Sequence, residues 1–370
     1  MERDDQRWLF ILNPTAGGGR AGRLWPGLAA ELDSQGIKYQ VVRTEGPGHA
    51  RELAMANSGR YERIVAVGGD GTCQEVVRGV VEANSPAANP GNPTPNPAAP
   101  AVIPLGVLPL GTGNDFARGL GLPTDPRQAL RALLSAEVRF VDLARVNGRP
   151  FINVAGVGFD AEVAALINRI HVRLPGPAMY LAGILYELIR YHNAPLSLTW
   201  ESGKWEGKAL MVAVGNGTCY AGGLKMTPYA RMDDGLFDVV IAGDLRRLRI
   251  LRLLPDLARG DHLRDRQVRL IRCHHLRVEG PPHLSVHADG EVVGRLPAEF
   301  TLEKGRLAVL RPRSALVSEE AAGREGAGAA HAATKSQKTD SRMSAIRMKP
   351  APAGWEASGK APPPASPGNP

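Results

Sequence analysis

Apolar residues in the first third of the chain come in short dense runs, each followed by a glycine-containing turn and then by a stretch with helical spacing. Trp8–Leu12 is wholly apolar and ends at Asn13-Pro14-Thr15-Ala16-Gly17-Gly18-Gly19. This predicts a buried strand, a turn, and a helix over about 20–34. The alternation continues with a strand at 37–43, a helix at 48–56, a third strand at 63–67 and a helix at 74–82. A strand at 102–108 follows, then a turn at 111–114, a helix opening at 115–120 and a short helix at 126–134. Strands alternating with helices predict an α/β domain whose parallel sheet is covered on both faces.

From about residue 137 the texture changes to short β-rich segments separated by turns, at 140–146, 149–154, 196–200, 209–214, 237–242, 267–272, 276–279, 284–287 and 298–302. Helical stretches near 160–192 and 245–258 interrupt them. The pattern predicts a second, β-rich domain, an antiparallel sandwich or open barrel. Two segments fit neither texture. Residues 84–101 carry six prolines among Asn and Ala, and 316–370 mix Ala, Gly, Ser, Lys and Pro without periodicity. Both read as disordered. The expected organisation is an α/β domain over 1–136 containing the insert 84–101, a β-sandwich domain over 137–315, and a disordered tail over 316–370.

Composition narrows the classes. A net charge of +8 suits a solvated basic surface, nucleic acid, anionic lipid or phosphorylated small molecules. Aromatic residues at 5%, with no stacking pattern, argue against nucleic acid as a partner. Cys73, Cys219 and Cys273 have neither disulfide-framework nor metal spacing, which predicts reduced thiols in a cytoplasmic protein. The start of the chain is acidic before any apolar run, and no apolar stretch reaches the roughly 20 residues of a spanning helix. A soluble protein, at most peripheral to a membrane, is therefore expected.

The strongest local signal is Val65-Ala66-Val67-Gly68-Gly69-Asp70-Gly71-Thr72, a buried strand delivering glycines, a carboxylate and a hydroxyl to a helix N-terminus. Glycines let backbone amides approach a phosphate closely, and the helix end adds partial positive charge. Asp70 would be repelled by phosphate itself but suits a metal bridging phosphates. A tight turn that merely uses glycine freedom is the bland alternative. A second turn, Leu110-Gly111-Thr112-Gly113-Asn114-Asp115-Phe116-Ala117-Arg118, falls on the same carboxyl edge of the sheet, where ligands bind. Thr112 can donate to phosphate, and Asp115 could help Asp70 hold a metal. Asn13 and the turn at 17–19 should line that edge too, although their spacing is not that of a P-loop.

Taken together, Gly68-Gly69-Asp70-Gly71-Thr72 and Gly111-Thr112-Gly113-Asn114-Asp115-Phe116-Ala117-Arg118 resemble the soluble diacylglycerol kinase and sphingosine kinase catalytic family. The resemblance continues in order through Leu12-Asn13-Pro14-Thr15-Ala16-Gly17, Asn153-Val154-Ala155-Gly156-Val157-Gly158-Phe159-Asp160, Asn216-Gly217, Gly222-Gly223, Asp233-Asp234-Gly235-Leu236-Phe237-Asp238-Val239 and Asp289-Gly290-Glu291, over about 300 residues. It implies an NAD-kinase-like nucleotide-binding α/β domain and a β-sandwich lipid-substrate domain, with ATP as phosphoryl donor and Mg²⁺. It implies that Glu291 is the general base for a lipid hydroxyl, Asp70 a catalytic carboxylate, and Thr44 a nucleotide contact. An N-cap role for Thr44 has similar weight. It also implies a structural Mg²⁺ at Asp234 with the carbonyls of Arg231 and Leu236. Asp289-Gly290 would serve equally as a hairpin turn, and the turn could present Glu291.

Diacylglycerol at a membrane surface is the expected acceptor, with phosphatidate the product. The alternative is NAD-kinase-type phosphorylation of a soluble nucleotide, since the wider superfamily shares the Gly-Gly-Asp-Gly turn. Peripheral membrane association is expected, and a homodimer is left open. The helical stretch from Leu245 alternates Leu with Arg and could lie on an anionic surface or pack on the sandwich. Residues 154–159 and 178–188 could line an acyl cleft or be ordinary core, and His287 reads as a packed strand residue.

Overall fold

A computed structural model describes residues 8–84, 101–169 and 176–313, which lie in one compact unit. The tail 316–370 and nearly all of the insert 84–101 fall outside the described residues.

The first half alternates strand and helix: β1 (Trp8–Leu12), α1 (Ala16–Ser34), β2 (Tyr39–Arg43), α2 (His49–Asn57), β3 (Arg63–Gly68), α3 (Asp70–Ala83), β4 (Ala101–Pro109), α4 (Asp115–Gly119) and α5 (Pro126–Leu134). Strands β2, β1, β3 and β4 lie side by side in that order, all parallel. Their side chains divide by the twofold period of a strand. Trp8, Phe10, Leu12, Val65 and Val67 enter one core with residues of α1 and α5. Leu9, Ile11, Ile64 and Ala66 enter another with residues of α2 and α3. Burial on both faces is why these strands are uniformly apolar rather than alternating.

The second half contributes β5 (Glu137–Val146), β6 (Arg149–Phe151), β7 (Val154–Gly158), α6 (Phe159–Arg169), α7 (Gly176–Arg190), β8 (Ala194–Trp200), β9 (Gly203–Ala209), β10 (Met211–Gly215), β11 (Phe237–Ala242), α8 (Arg247–Arg259), β12 (Val268–Cys273), β13 (His275–Glu279), β14 (Ser285–Ala288), β15 (Glu291–Arg295) and β16 (Ala298–Arg311). One antiparallel sheet runs β12-β11-β10-β7-β14-β15. Its inner face packs Val212, Val214, Val239 and Ile241 against Leu276, Val278 and Phe300 of the facing strands, as a sandwich does. Its outer face carries Met211, Ala213 and Val240 under α6, α7 and α8.

The facing sheet is continuous with the parallel one. β16 pairs antiparallel with β13 and β5 and, through Leu307 and Val309, parallel with β4. The last strand therefore belongs to both halves, and the β-rich segment reaches into the parallel sheet. Three details differ from the sequence expectation. The segment 149–154 is two strands, β6 and β7, in different sheets. Two edge strands, β9 and β15, are additional. The strand expected at 298–302 runs on to Arg311 across a register shift between Glu303 and Leu307.

Candidate active site

The carboxyl ends of β1, β2, β3 and β4 bring four turns together. Asn13 N donates to Val67 O and Thr44 N to Leu12 O, both at 2.9 Å, while Leu110 N and Gly111 N both donate to Gly68 O. Asn13, Thr44, Gly68–Thr72 and Gly111–Asp115 are thus neighbours on one sheet edge. In the first turn Gly17, Gly18 and Gly19 are left-handed, with φ of 60°, 66° and 83°. A Cβ on Gly17 would stand 2.5 Å from Leu110 O, so the turn needs glycine there to lie against the fourth strand's end. Gly69 and Gly111 touch backbone to backbone: a Cβ on Gly111 would meet Gly69 Cα at 2.2 Å. Neither Thr15 nor Gly69, the residues that precede α1 and α3, caps its helix with a side chain. That suits phosphate.

The polar residues of these turns divide into two sets. Thr112 is exposed, and Thr44 is half-buried. Asn13 uses its Oδ1 to accept from Thr15 N and Oγ1, and its Nδ2 to donate to Thr72 Oγ1 at 3.1 Å. Thr72 is itself buried, so Asn13 and Thr72 tie the first and third turns together. Asp115 is buried as well; it accepts from Gly222 N at 2.8 Å and from Arg118 Nη1 at 2.8 Å. Sequence reasoning paired Asp115 with Asp70 at a metal. The structure sets the two carboxylates near one another and also has Asp115 hold the Gly222-Gly223 loop of the β-rich half against the glycine turns. Asn114, in the left-handed conformation, closes its own turn by bonding both N–H and C=O of Gly111.

Asp70 opens α3 and accepts from Phe116 N at 2.9 Å. Burial, together with the negative charges of Asp115 and Asp289, pushes its carboxyl up to about 6. A half-buried carboxylate crowded by two others is short of positive charge. That donor fits Mg²⁺, which binds through one or two carboxylates while phosphate oxygens and water complete its shell. Among the described residues no group of three or more His, Cys, Asp or Glu side chains is placed to hold a metal.

Asp289 and Gly290 form the two-residue turn between β14 and β15, with φ of 49° and 84°, so the hairpin reading of this motif holds. Asp289 is half-buried and accepts from Ile152 N, Asn153 N and Val154 N, and from Gln74 Nε2 on α3. Its role is to lock the turn to both halves. Glu291 is 43% exposed and pairs with Arg78 Nη2 at 3.1 Å and, more closely, with Arg149 Nη2. Neither arginine carried a sequence signal. Gln74 and Arg78 lie one and two turns beyond Asp70, on the same face of α3. One helix thus connects the Gly-Gly-Asp-Gly turn with Asp289 and Glu291. Glu75, also missed, accepts from Gly48 N and Ala50 N and so caps α2.

Behind the hairpin His287 is fully buried. Its Nε2 lies 2.9 Å from Asp160 Oδ2 and its ring stacks on Tyr220, in keeping with a packed strand residue. At the third motif Asp234 accepts from Leu236 N at 3.0 Å, with Arg272 at 3.8 Å, and Arg231 pairs with Asp233 at 3.3 Å. The turn's charge is therefore met by arginines. Cys73, Cys219 and Cys273 are buried, and burial raises all three thiols, Cys219 to about 11 and Cys273 to about 12, so none serves as a nucleophile.

Residues 7–146 match the diacylglycerol kinase catalytic domain, and residues 153–311 match the YegS C-terminal NAD kinase beta sandwich-like domain. The chain is 30% identical over 318 residues to the diacylglycerol kinase of Staphylococcus aureus (strain bovine RF122), covering 85% of this chain and 95% of the relative. It is also 30% identical over 307 residues to the diacylglycerol kinase of Staphylococcus haemolyticus, covering 82% of this chain and 88% of that one. The fold resembles the crystal structure of a diacylglycerol kinase from Bacillus anthracis, with a TM-score of 0.62 at 20% identity over 85% of this chain and 99% of that one.

Proposed function

Because the chain belongs to the diacylglycerol kinase family and is a lipid kinase, we propose that it moves the γ-phosphoryl group of ATP onto the free hydroxyl of diacylglycerol, giving phosphatidate. The observation that carries this reading is α3. It starts at Asp70 among the glycine turns, and its Gln74 and Arg78 reach Asp289 and Glu291 on the far side. Phosphoryl transfer is mostly positioning and charge stabilisation, with one proton to remove from the attacking alcohol.

In this reading the amides at the starts of α1 and α3, together with Thr112 and Thr44, hold the triphosphate. Asp70 would hold Mg²⁺, which would supply neutralising charge to the phosphates, and Asp234 with the carbonyls of Arg231 and Leu236 would hold a second, structural ion. Glu291 takes the alcohol proton, while Arg78 and Arg149 fix its carboxylate in place. Asp115, Asn13 and Asp289 keep the turns in register.

A membrane-surface acceptor is supported by the outer helices. Among the described residues no helix is long and apolar enough to cross a membrane. Leu181, Leu185 and Ile189 are exposed along one stripe of α7, and Leu248 is exposed on α8, with Ile189 and Leu248 each 70% accessible. Arg247 Nη2 donates to Ile189 O at 2.7 Å, which joins the two helices at one apolar, arginine-rimmed surface. Such a surface suits an anionic bilayer, where apolar side chains insert and arginines meet headgroups. Beneath it Phe159, Ile184, Met226 and Ile250 line a cavity of about 80 Å³ beside Asp160, which an acyl chain would have to widen. We place the protein in the cytoplasm, peripheral to the membrane.

The test is a phosphoryl-transfer assay with ATP, Mg²⁺ and, in separate mixed micelles, diacylglycerol, sphingosine and phosphatidylglycerol, with NAD in solution. Phosphatidate formed faster than any other product supports the reading. Preference for another lipid replaces the acceptor, and phosphorylation of NAD alone overturns the lipid reading for the site.

A further inference from the structure

Beyond Glu291, away from the glycine turns, the same helix borders a second polar site. Arg78 and Arg149 line a cavity of about 480 Å³ together with Arg51, Arg145 and Arg306. Arg78 is eight residues from Asp70, about 12 Å along the axis at 1.5 Å per residue. The cavity therefore lies beyond Glu291 as seen from the Gly-Gly-Asp-Gly turn.

Its charge is not balanced from within. Five guanidiniums face Glu82, Glu291 and Glu303, which between them pair with all five. Three N–H groups, Arg78 Nε, Arg149 Nε and Arg306 Nη1, are buried and meet no acceptor. Buried donors without partners are costly, and they sit on three different elements: α3, β6 and β16. Burial and the neighbouring charges of Arg78 and Arg51 also depress the Arg149 guanidinium. The three unpartnered N–H groups are closed off from solvent, but the five guanidiniums outnumber their three carboxylates, and an anion with several acceptor oxygens in the cavity would meet the remaining positive charge.

We propose that this cavity binds a phosphate group, free or carried on a lipid headgroup, at a site separate from the nucleotide turns. Planar guanidiniums on several elements suit the tetrahedral, multiply accepting phosphate better than a carboxylate. Arg78 and Arg149 are also the partners of Glu291, so a phosphate here draws on the two groups that hold that carboxylate. The site itself does not depend on Glu291 being a base or on the acceptor being diacylglycerol.

Calorimetric titration of the full chain tests the proposal, at constant ionic strength and with a non-hydrolysable ATP analogue present throughout. Inorganic phosphate is one probe and a short-chain phosphatidate, kept below its micellar concentration, is the other. Saturable binding of at least one probe is expected, weakened about tenfold or more in Arg306→Gln, as loss of a charged hydrogen-bond partner predicts. Affinity for the ATP analogue should be unchanged. Arg51→Gln, at the exposed rim, provides the same comparison if Arg306→Gln fails to fold by circular dichroism. Equal affinity for the two probes identifies a free-phosphate site, and much tighter phosphatidate binding identifies a headgroup site. No saturable binding of either probe, or binding that a folded Arg306 or Arg51 variant leaves untouched, overturns the proposal.

Discussion

Arg78 Nη2 lies 3.1 Å from Glu291 Oε2, joining the third turn of α3 to the first residue of β15. With Arg149 on the same oxygen, Glu291 is a half-exposed carboxylate of fixed position. Glu291→Gln keeps its shape but cannot accept a proton at neutral pH. Loss of a general base should lower kcat about 10²–10⁴-fold. ATP affinity should be retained, because the glycine turns are made by other residues. Stability should change by less than about 1 kcal/mol, as for other solvent-screened pairs. Steady-state kinetics with a thermal melt check this, and turnover within a few-fold of the parent would move the base elsewhere.

Asp70→Asn separates stability from activity. The Asp70 carboxyl titrates at about 6 in the folded chain against 3.8 ordinarily. Between those values the folded chain binds a proton that the unfolded chain has released. Stability therefore falls as pH rises through this window and stays lower above it. Asparagine removes that burden. The variant should melt higher than the parent at pH 7.5 in metal-free buffer, by an amount worth about 1–3 kcal/mol. The advantage should vanish below pH 4, and phosphoryl transfer should be nearly lost. A variant that melts lower at both pH values would show that the bond to Phe116 N outweighs the cost of burial.

Gly111→Ala tests the contact between turns. A methyl group there would stand 2.2 Å from Gly69 Cα, and backbone cannot yield as a flexible side chain does. Overpacking of this kind costs about 1–3 kcal/mol. The melting temperature should fall and KM for ATP should rise. Gly290→Ala, with nothing within 4 Å of its Cβ but a left-handed backbone, should lose stability with KM for ATP unchanged. Equal KM values for the two variants would dissociate the turn contact from nucleotide binding.

Ile189→Ser combined with Leu248→Ser addresses the membrane surface. Both side chains are mostly exposed, so the melt should move little. Sedimentation with phosphatidylglycerol vesicles should show binding weakened several-fold, since each loses apolar area that would enter the bilayer. Undiminished binding would place the bilayer contact on another face.

Local pattern accounts for most of what was legible beforehand. β1, β3 and β4 are dense apolar runs because both faces of their sheet are covered, and a run of that kind is visible without knowing its partners. The edge strands β9 and β15 were missed for the converse reason. β9 reads Gly203-Lys204-Trp205-Glu206-Gly207-Lys208-Ala209 and pairs on one side only, with β8, so burial imposes little hydrophobic pattern on it.

The sequence by itself determined the strand–turn–helix alternation, the glycine turns at one sheet edge, and the Asp-Gly hairpin that carries Glu291. Each of these is written in a few consecutive residues through periodicity or backbone freedom. Only the tertiary structure decided that β16 joins the parallel strands to antiparallel ones in one sheet, that Asp115 and Asp289 tie loops together, and that Arg78, Arg149 and Arg306 line one cavity. Those three arginines come from α3, β6 and β16, more than 200 residues apart at the extremes. An arginine's charge is the same at every position, so its role comes from which carboxylate, amide or cavity the chain's long-range packing sets beside it.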